Sequence, residues 1–220
     1  MPSIKIVPSI LSADQDNIND EMKEVEEFSD LFQVDVMDNK FVPNETPGPE
    51  YLEKLDTKVP LDVHLMVVEP SKEYMKKFID TNPNLKINNI TVHVEACQDV
   101  GKTLDTIREL GVKAGITLNP KTPLEKILPY VEKVDLVQFM TVEPGFSGQK
   151  FIPEVLPKIK ELREKYPDLD IEIDGGINLE TAPLAREAGV NVFCASSYIF
   201  KNEDKVKAIE KLLDITQRHQ

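Results

Sequence analysis

Residues 100–118, VGKTLDTIRELGVKAGITL, contain both halves of the pattern that decides the fold. In the first half Val100, Leu104, Ile107 and Leu110 recur at three- and four-residue spacing, so they share one helical face, with charged residues opposite. Gly111 follows at the point where a helix can stop on a residue that tolerates a left-handed conformation. The second half, residues 113–118, is a short run dominated by apolar and small residues. That composition suits a strand of a parallel sheet covered on both faces. A helix leading directly into such a strand is the repeating unit of an α/β fold.

Working outward from this unit, short apolar runs occur eight times: at 5–11, 31–37, 61–67, 89–95, 113–118, 134–141, 170–174 and 191–195. Amphipathic stretches separate them at 17–28, 71–79, 100–110, 153–166 and 180–188, and two shorter and weaker ones lie at 49–55 and 124–131. Eight strands, each followed by a helix, with no long linker or low-complexity run, predict a closed (β/α)8 barrel that occupies residues 1–220 as one domain. A doubly wound open sheet is the alternative, but no glycine-rich dinucleotide fingerprint follows the first strand.

The chain has 39 acidic and 26 basic residues and a formal net charge of -13. That balance argues against nucleic acid or an anionic membrane surface as a partner, since both require a basic footprint. It also means that affinity for an anionic substrate has to be built locally. Cys97 and Cys194 lie in apolar runs and read as buried, reduced thiols. The N-terminal MPSIKIVPSIL lacks the features of a secretory signal, and no apolar run has the length of a bilayer span, so the expected setting is cytoplasmic.

In a barrel of this kind chemistry gathers where strands pass into the loops that follow them. Asp35 in VDVMD and Asp174 in IEIDGG stand at such ends. A carboxylate inside a barrel strand is costly to desolvate unless it is paired, protonated or bound to a cation, and neither strand supplies a basic partner. Asp38, three positions after Asp35, would face the other way and reads as a turn or capping group. His64 in LDVHLM would complete with the two aspartates an N/O set suited to a divalent cation such as Zn²⁺, Mn²⁺ or Fe²⁺. His93 reads as structural and His219 as inert. The segments EPGFSGQ (143–149), DGG (174–176) and ASS (195–197) end or follow strands six, seven and eight and together read as a phosphate cradle. Met37, Met66 and Met140 lie near the ends of strands two, three and six, where they read first as packing and second as an apolar wall around a reacting carbon.

Taken together, PSILSAD (8–14), VDVMDNKFVPN (34–44), LDVHLMVVEP (61–70), HVEA (93–96), GITLNPKTP (115–123), MTVEPGFSGQKFIP (140–153) and EIDGGIN (172–178) resemble the ribulose-phosphate 3-epimerases, in that family's order, from Pro8 to about Phe200. The resemblance implies a barrel that interconverts D-ribulose 5-phosphate and D-xylulose 5-phosphate, in the pentose phosphate pathway, through a cis-enediolate. Asp35 and Asp174 match the two aspartates that exchange protons at C3. The resemblance also implies one divalent metal ion held by Asp35, His64 and Asp174 and stabilising the enediolate charge. By the same matching Ser9 and His64 would touch substrate, and Gly145, Phe146, Ser147, Gly148, Gly175, Gly176, Ala195 and Ser196 would lie around the phosphate. Met37, Met66 and Met140 would cap the intermediate, and the family implies a homo-oligomer.

Two positions depart from the family pattern. Gln33 stands where the family has a histidine ligand, and a glutamine can offer only an amide oxygen. The expectation is therefore metal binding that is weakened or shifted toward Mn²⁺ or Mg²⁺. Ala195 stands where glycine is usual. Two other readings accompany the pentose one: 3-epimerisation of a six-carbon ketose phosphate such as D-allulose 6-phosphate, and a non-catalytic phosphate-binding homologue.

Overall fold

The eight apolar runs form eight strands in the computed structural model, which describes residues 2–218: β1 (Lys5–Pro8), β2 (Phe32–Met37), β3 (Leu61–Met66), β4 (Ile87–His93), β5 (Lys113–Leu118), β6 (Leu136–Met140), β7 (Asp170–Asp174) and β8 (Val192–Ala195). All neighbours pair in parallel in the order β1-β8-β7-β6-β5-β4-β3-β2, which excludes the doubly wound alternative. The remaining seam, between β1 and β2, carries a single parallel bridge from Ser9 to Gln33, and the barrel is nearly closed. His219 lies outside the described residues.

The connections are α1 (Ile18–Val25), α2 (Lys72–Asp80), α3 (Val100–Glu109), α4 (Leu156–Lys165), α5 (Thr181–Ala188), α6 (Ser197–Phe200) and α7 (Lys205–Arg218). α3 follows the reading of its sequence closely. Val100, Leu104 and Ile107 are buried, Asp99 accepts a hydrogen bond from the Lys102 amide at 3.0 Å to cap the start, and Gly111 takes φ +83° just past the end. The two weak helices are instead 3₁₀ turns, Pro49–Lys54 after β2, and Leu124–Lys126 and Leu128–Lys133 after β5. Pro129 explains the second case. A continuous α-helix from Leu124 would need an amide hydrogen there, and the proline ring would press on the carbonyl one turn back.

Alternate strand residues separate into two sets. Val34, Val36, Val63, Leu65, Ile90, Val92, Ile171 and Ile173 join the main apolar core, in which the strands pack against the helices. The opposite set is polar to an unusual degree for a barrel: Gln33, Asp35, Asp62, His64, Thr91, His93, Gln138 and Glu172 are all buried. Such groups are costly to bury unpaired, and the hydrogen bonds among Gln33, Asp35, His64, His93 and Gln138 build the site.

Candidate active site

Parallel pairing of β2 with β3 sets Asp35 opposite His64, and pairing of β6 with β7 sets Met140 opposite Asp174. The result brings three chain-distant groups together: one ligand-capable atom each from Asp35, His64 and Asp174 lies within 4.8 Å of the others. His64 Nδ1 is 2.9 Å from Asp35 Oδ1 and 3.5 Å from Asp174 Oδ2. The second oxygen of Asp35 accepts from Ser9 Oγ at 2.5 Å, so β1 also contributes to the cluster.

His64 is fully enclosed. Burial alone would lower its pKa, but hydrogen bonds and charge from Asp174 and Asp35 outweigh that and bring it up to about 9. Its Nε2 lies 2.9 Å from Nε2 of His93, and the two rings stack with centroids 5.1 Å apart. Burial, followed by the charge of His64, takes His93 down to about 4 despite Glu95, whose Oε2 is 3.4 Å from His93 Nδ1. A neutral His93 therefore accepts from His64 and fixes the orientation of its ring. The sequence treats His93 as structural; its contact with His64 is invisible there because the pair is 29 residues apart.

Gln33 approaches this cluster through its nitrogen. Nε2 donates to Asp35 Oδ1 at 2.8 Å and to Asp174 Oδ2 at 2.7 Å, while Oε1 accepts from Gln138 Nε2 at 3.1 Å. The two carboxylate oxygens dictate that orientation, since turning the amide over would set three oxygens against one another. Gln138 is a component that sequence reasoning does not find. Its only signal is a polar residue in the otherwise apolar run LVQFM.

A cleft reaches both carboxylates. Met37, Met66 and Met140 line it, as do Asp35, Asp174, Ser9 and Cys194. Gly145, Phe146, Ser147, Gly148, Gly175, Gly176 and Ser196 also belong to its lining. The loops are tied together: Ser12 Oγ donates to Ser147 Oγ at 2.9 Å, the Ser12 amide donates to Ser196 Oγ at 3.0 Å, and Ser196 Oγ donates to the Ser9 carbonyl at 2.9 Å. None of the described residues lining the cleft is a lysine or arginine, so an anion there would depend on backbone N–H groups. Ala195 is buried at the end of β8 and His64 sits behind the aspartates, and neither lines the cleft. Asp38 is a turn group, accepting from the Lys40, Phe41 and Val68 amides.

The residues present suit a divalent cation in part. Two carboxylates and an imidazole converge, as a cation requires, but Gln33 offers them a donor nitrogen where a fourth ligand would need a lone pair.

Residues 5–200 match the model of the Ribulose-phosphate 3 epimerase family. The chain is 46% identical over 217 residues to ribulose-phosphate 3-epimerase of Bacillus subtilis (strain 168), covering 95% of this chain and 98% of that protein. It is 40% identical over 215 residues to the cytoplasmic isoform of ribulose-phosphate 3-epimerase from Oryza sativa subsp. japonica, covering 94% and 92%. Among solved structures, 3-hexulose-6-phosphate synthase from Salmonella typhimurium superimposes with a TM-score of 0.73 at 15% identity, covering 99% of this chain and 100% of that one, a likeness of fold.

Proposed function

We propose that this chain, which belongs to the ribulose-phosphate 3-epimerase family, interconverts D-ribulose 5-phosphate and D-xylulose 5-phosphate by proton transfer between C3 and its two facing aspartates. The observation that carries the mechanism is the pair Asp35 and Asp174, both lining the cleft and held together by one amide nitrogen. One carboxylate removes the C3 proton, leaving an enediolate, and the other, as the acid, delivers a proton to the opposite face. In the reverse direction the roles exchange. Ser9 and Gln33 hold the carboxylates in place through their hydrogen bonds, and His93 holds His64. The methionine wall keeps water from the reacting carbon. Glycine-rich loops 145–148 and 175–176, with Ser196, would take the phosphate by backbone N–H groups. Asp35, His64 and Asp174 would hold a divalent cation, which when bound neutralises charge on the substrate oxygens.

The names of the relatives favour the five-carbon substrate over a six-carbon ketose phosphate and over an inert phosphate binder. A cytoplasmic setting and assembly as a homo-oligomer belong to the same reading, as does the reading of residues 1–220 as one domain. None of the helices among the described residues is long and apolar enough to cross a membrane.

The test uses Asp35→Asn and Asp174→Asn in D₂O. Each should reduce inversion by roughly 10²–10⁴-fold, the usual contribution of a positioned acid or base. Residual exchange of the C3 hydrogen should be confined to one epimer, a different one for each variant. Inversion undiminished in either variant would refute the two-aspartate mechanism.

A further inference from the structure

The polar interior holds one side chain whose job the proton transfer does not explain. Gln138 on β6 is 1% exposed, is not among the residues lining the cleft, and sits in a strand that is otherwise apolar. Its Nε2 is 3.1 Å from Gln33 Oε1 and 3.4 Å from both Glu172 Oε1 and Asp174 Oδ2. Its Oε1 is buried without a hydrogen-bond partner among the described residues. A buried amide normally satisfies both ends, and an orphaned oxygen is destabilising. Gln138 thus gives up one end in order to donate at the other.

The recipient decides what that donation does. Gln33 could serve a cation only through Oε1, by turning its terminal amide about a broad, two-fold torsion. In the turned state its Nε2 would face Gln138 Nε2, donor against donor, at the present separation of 3.1 Å. Gln138 could turn with it, but its own oxygen would then meet the Asp174 carboxylate oxygen Oδ2, which lies 3.4 Å from the present nitrogen. The network therefore favours the orientation in which a nitrogen, with no lone pair for a metal, stands between the two carboxylates.

We propose that Gln138 is a positioning residue that lowers the divalent-cation affinity of this site, by holding Gln33 with its amide nitrogen toward Asp35 and Asp174 and its oxygen away. The proposal rests on the cation reading of Asp35, His64 and Asp174. With an apolar residue at 138 the oxygen of Gln33 is no longer held, and the amide can turn to become a ligand.

Binding of Mn²⁺ and Zn²⁺ by isothermal titration calorimetry tests this without reference to turnover. Gln138→Leu should bind Mn²⁺ roughly tenfold or more tightly than the unaltered chain, as expected when one retained hydrogen bond and one donor–donor conflict are removed. Gln138→Met, closer in shape, should do the same, and thermal melting shows whether each variant is folded. The gain should vanish in the double variant with Gln33→Leu, because it acts through the Gln33 oxygen; a general loosening of the barrel would leave it intact. Gln33→His serves as the reference for a fully equipped site. No gain in folded Gln138→Leu or Gln138→Met, or a gain that survives Gln33→Leu, overturns the proposal while leaving the cation reading standing. Absence of binding in every protein, Gln33→His included, overturns both.

Discussion

Gly176 has φ +66°, and a Cβ built on it would lie 2.8 Å from the backbone nitrogen of Phe151 and 3.0 Å from its Cα. The obstruction is main chain, so no rotamer change relieves it. The position thus ties the loop after β7 to the loop after β6 at the wall of the cleft. Gly176→Ala should cost about 1–3 kcal/mol, the usual range for a residue held in an unfavourable backbone region, and lower the melting temperature accordingly. Because Gly176 lines the cleft within the segment read as the phosphate cradle, KM for the sugar phosphate should rise at least several-fold. Steady-state kinetics beside a thermal melt check both parts, and unchanged KM would remove this loop from the phosphate site. At this scale the sequence is partly legible. Asp35, Asp174 and His64 declare themselves because charged or basic groups inside apolar strands demand a reason. The orientation of Gln33 does not, because Asp35 and Asp174 set it from one end and Gln138, 105 residues away, from the other.

At the scale of elements the strands are the most readable part of the chain. Strands covered on both faces need near-continuous apolar sequence, and the runs at 113–118 and 170–174 coincide with β5 and β7 at both ends. The 89–95 run is displaced, since β4 occupies Ile87–His93 and the chain turns into a 3₁₀ segment at Val94. What holds helices to strands is less readable, and Arg163 is the clearest instance. It lies in the last turn of α4, only 9% exposed. Its Nε donates to the Gly189 carbonyl at 2.8 Å, and one terminal nitrogen donates to Tyr166, Pro167 and Leu169 carbonyls at 3.2, 2.9 and 2.7 Å. The other reaches Asn191 Oδ1 at 2.9 Å. One side chain thereby joins the end of α4, the approach to β7 and the turn between α5 and β8. In sequence it looks like any basic residue near a helix C-terminus. Arg163→Met keeps the apolar stem and strands several buried acceptors, so it should lose about 3 kcal/mol or more of stability. Chemical denaturation measures this directly, and a loss below about 0.5 kcal/mol would show that water replaces the guanidinium without penalty.

Across the whole molecule the barrel interior is an acidic enclosure in an acidic protein, and its stability should carry that signature. Asp62, 4% exposed on β3, is pushed by burial from an ordinary 3.8 up to about 7. The Asn88 amide, donating at 2.9 Å, and the charges of Lys113 and Lys5 pull the other way, while Asp170 adds to the rise. Glu172, deeper still, is raised well above its usual value by burial and then by Asp62, Asp174, Asp35 and Asp170. The sign follows from proton counts: between 3.8 and about 7 the unfolded chain has released the Asp62 proton and the folded chain retains it. The folded state binds more protons, so stability from this group is complete below 3.8 and declines as pH rises to about 7. Above that the folded protein carries a buried charge and the cost levels off. Asp62→Asn, which keeps the shape and cannot ionise, should therefore melt above the unaltered protein at pH 8, with the difference shrinking steadily as pH is lowered to 5 and gone by about pH 4. Differential scanning calorimetry over that range decides the matter. A difference that is constant with pH, or that grows on acidification, would mean that Asn88, Lys113 and Lys5 keep Asp62 ionised in the fold, and that the enclosure is balanced by cations rather than by retained protons.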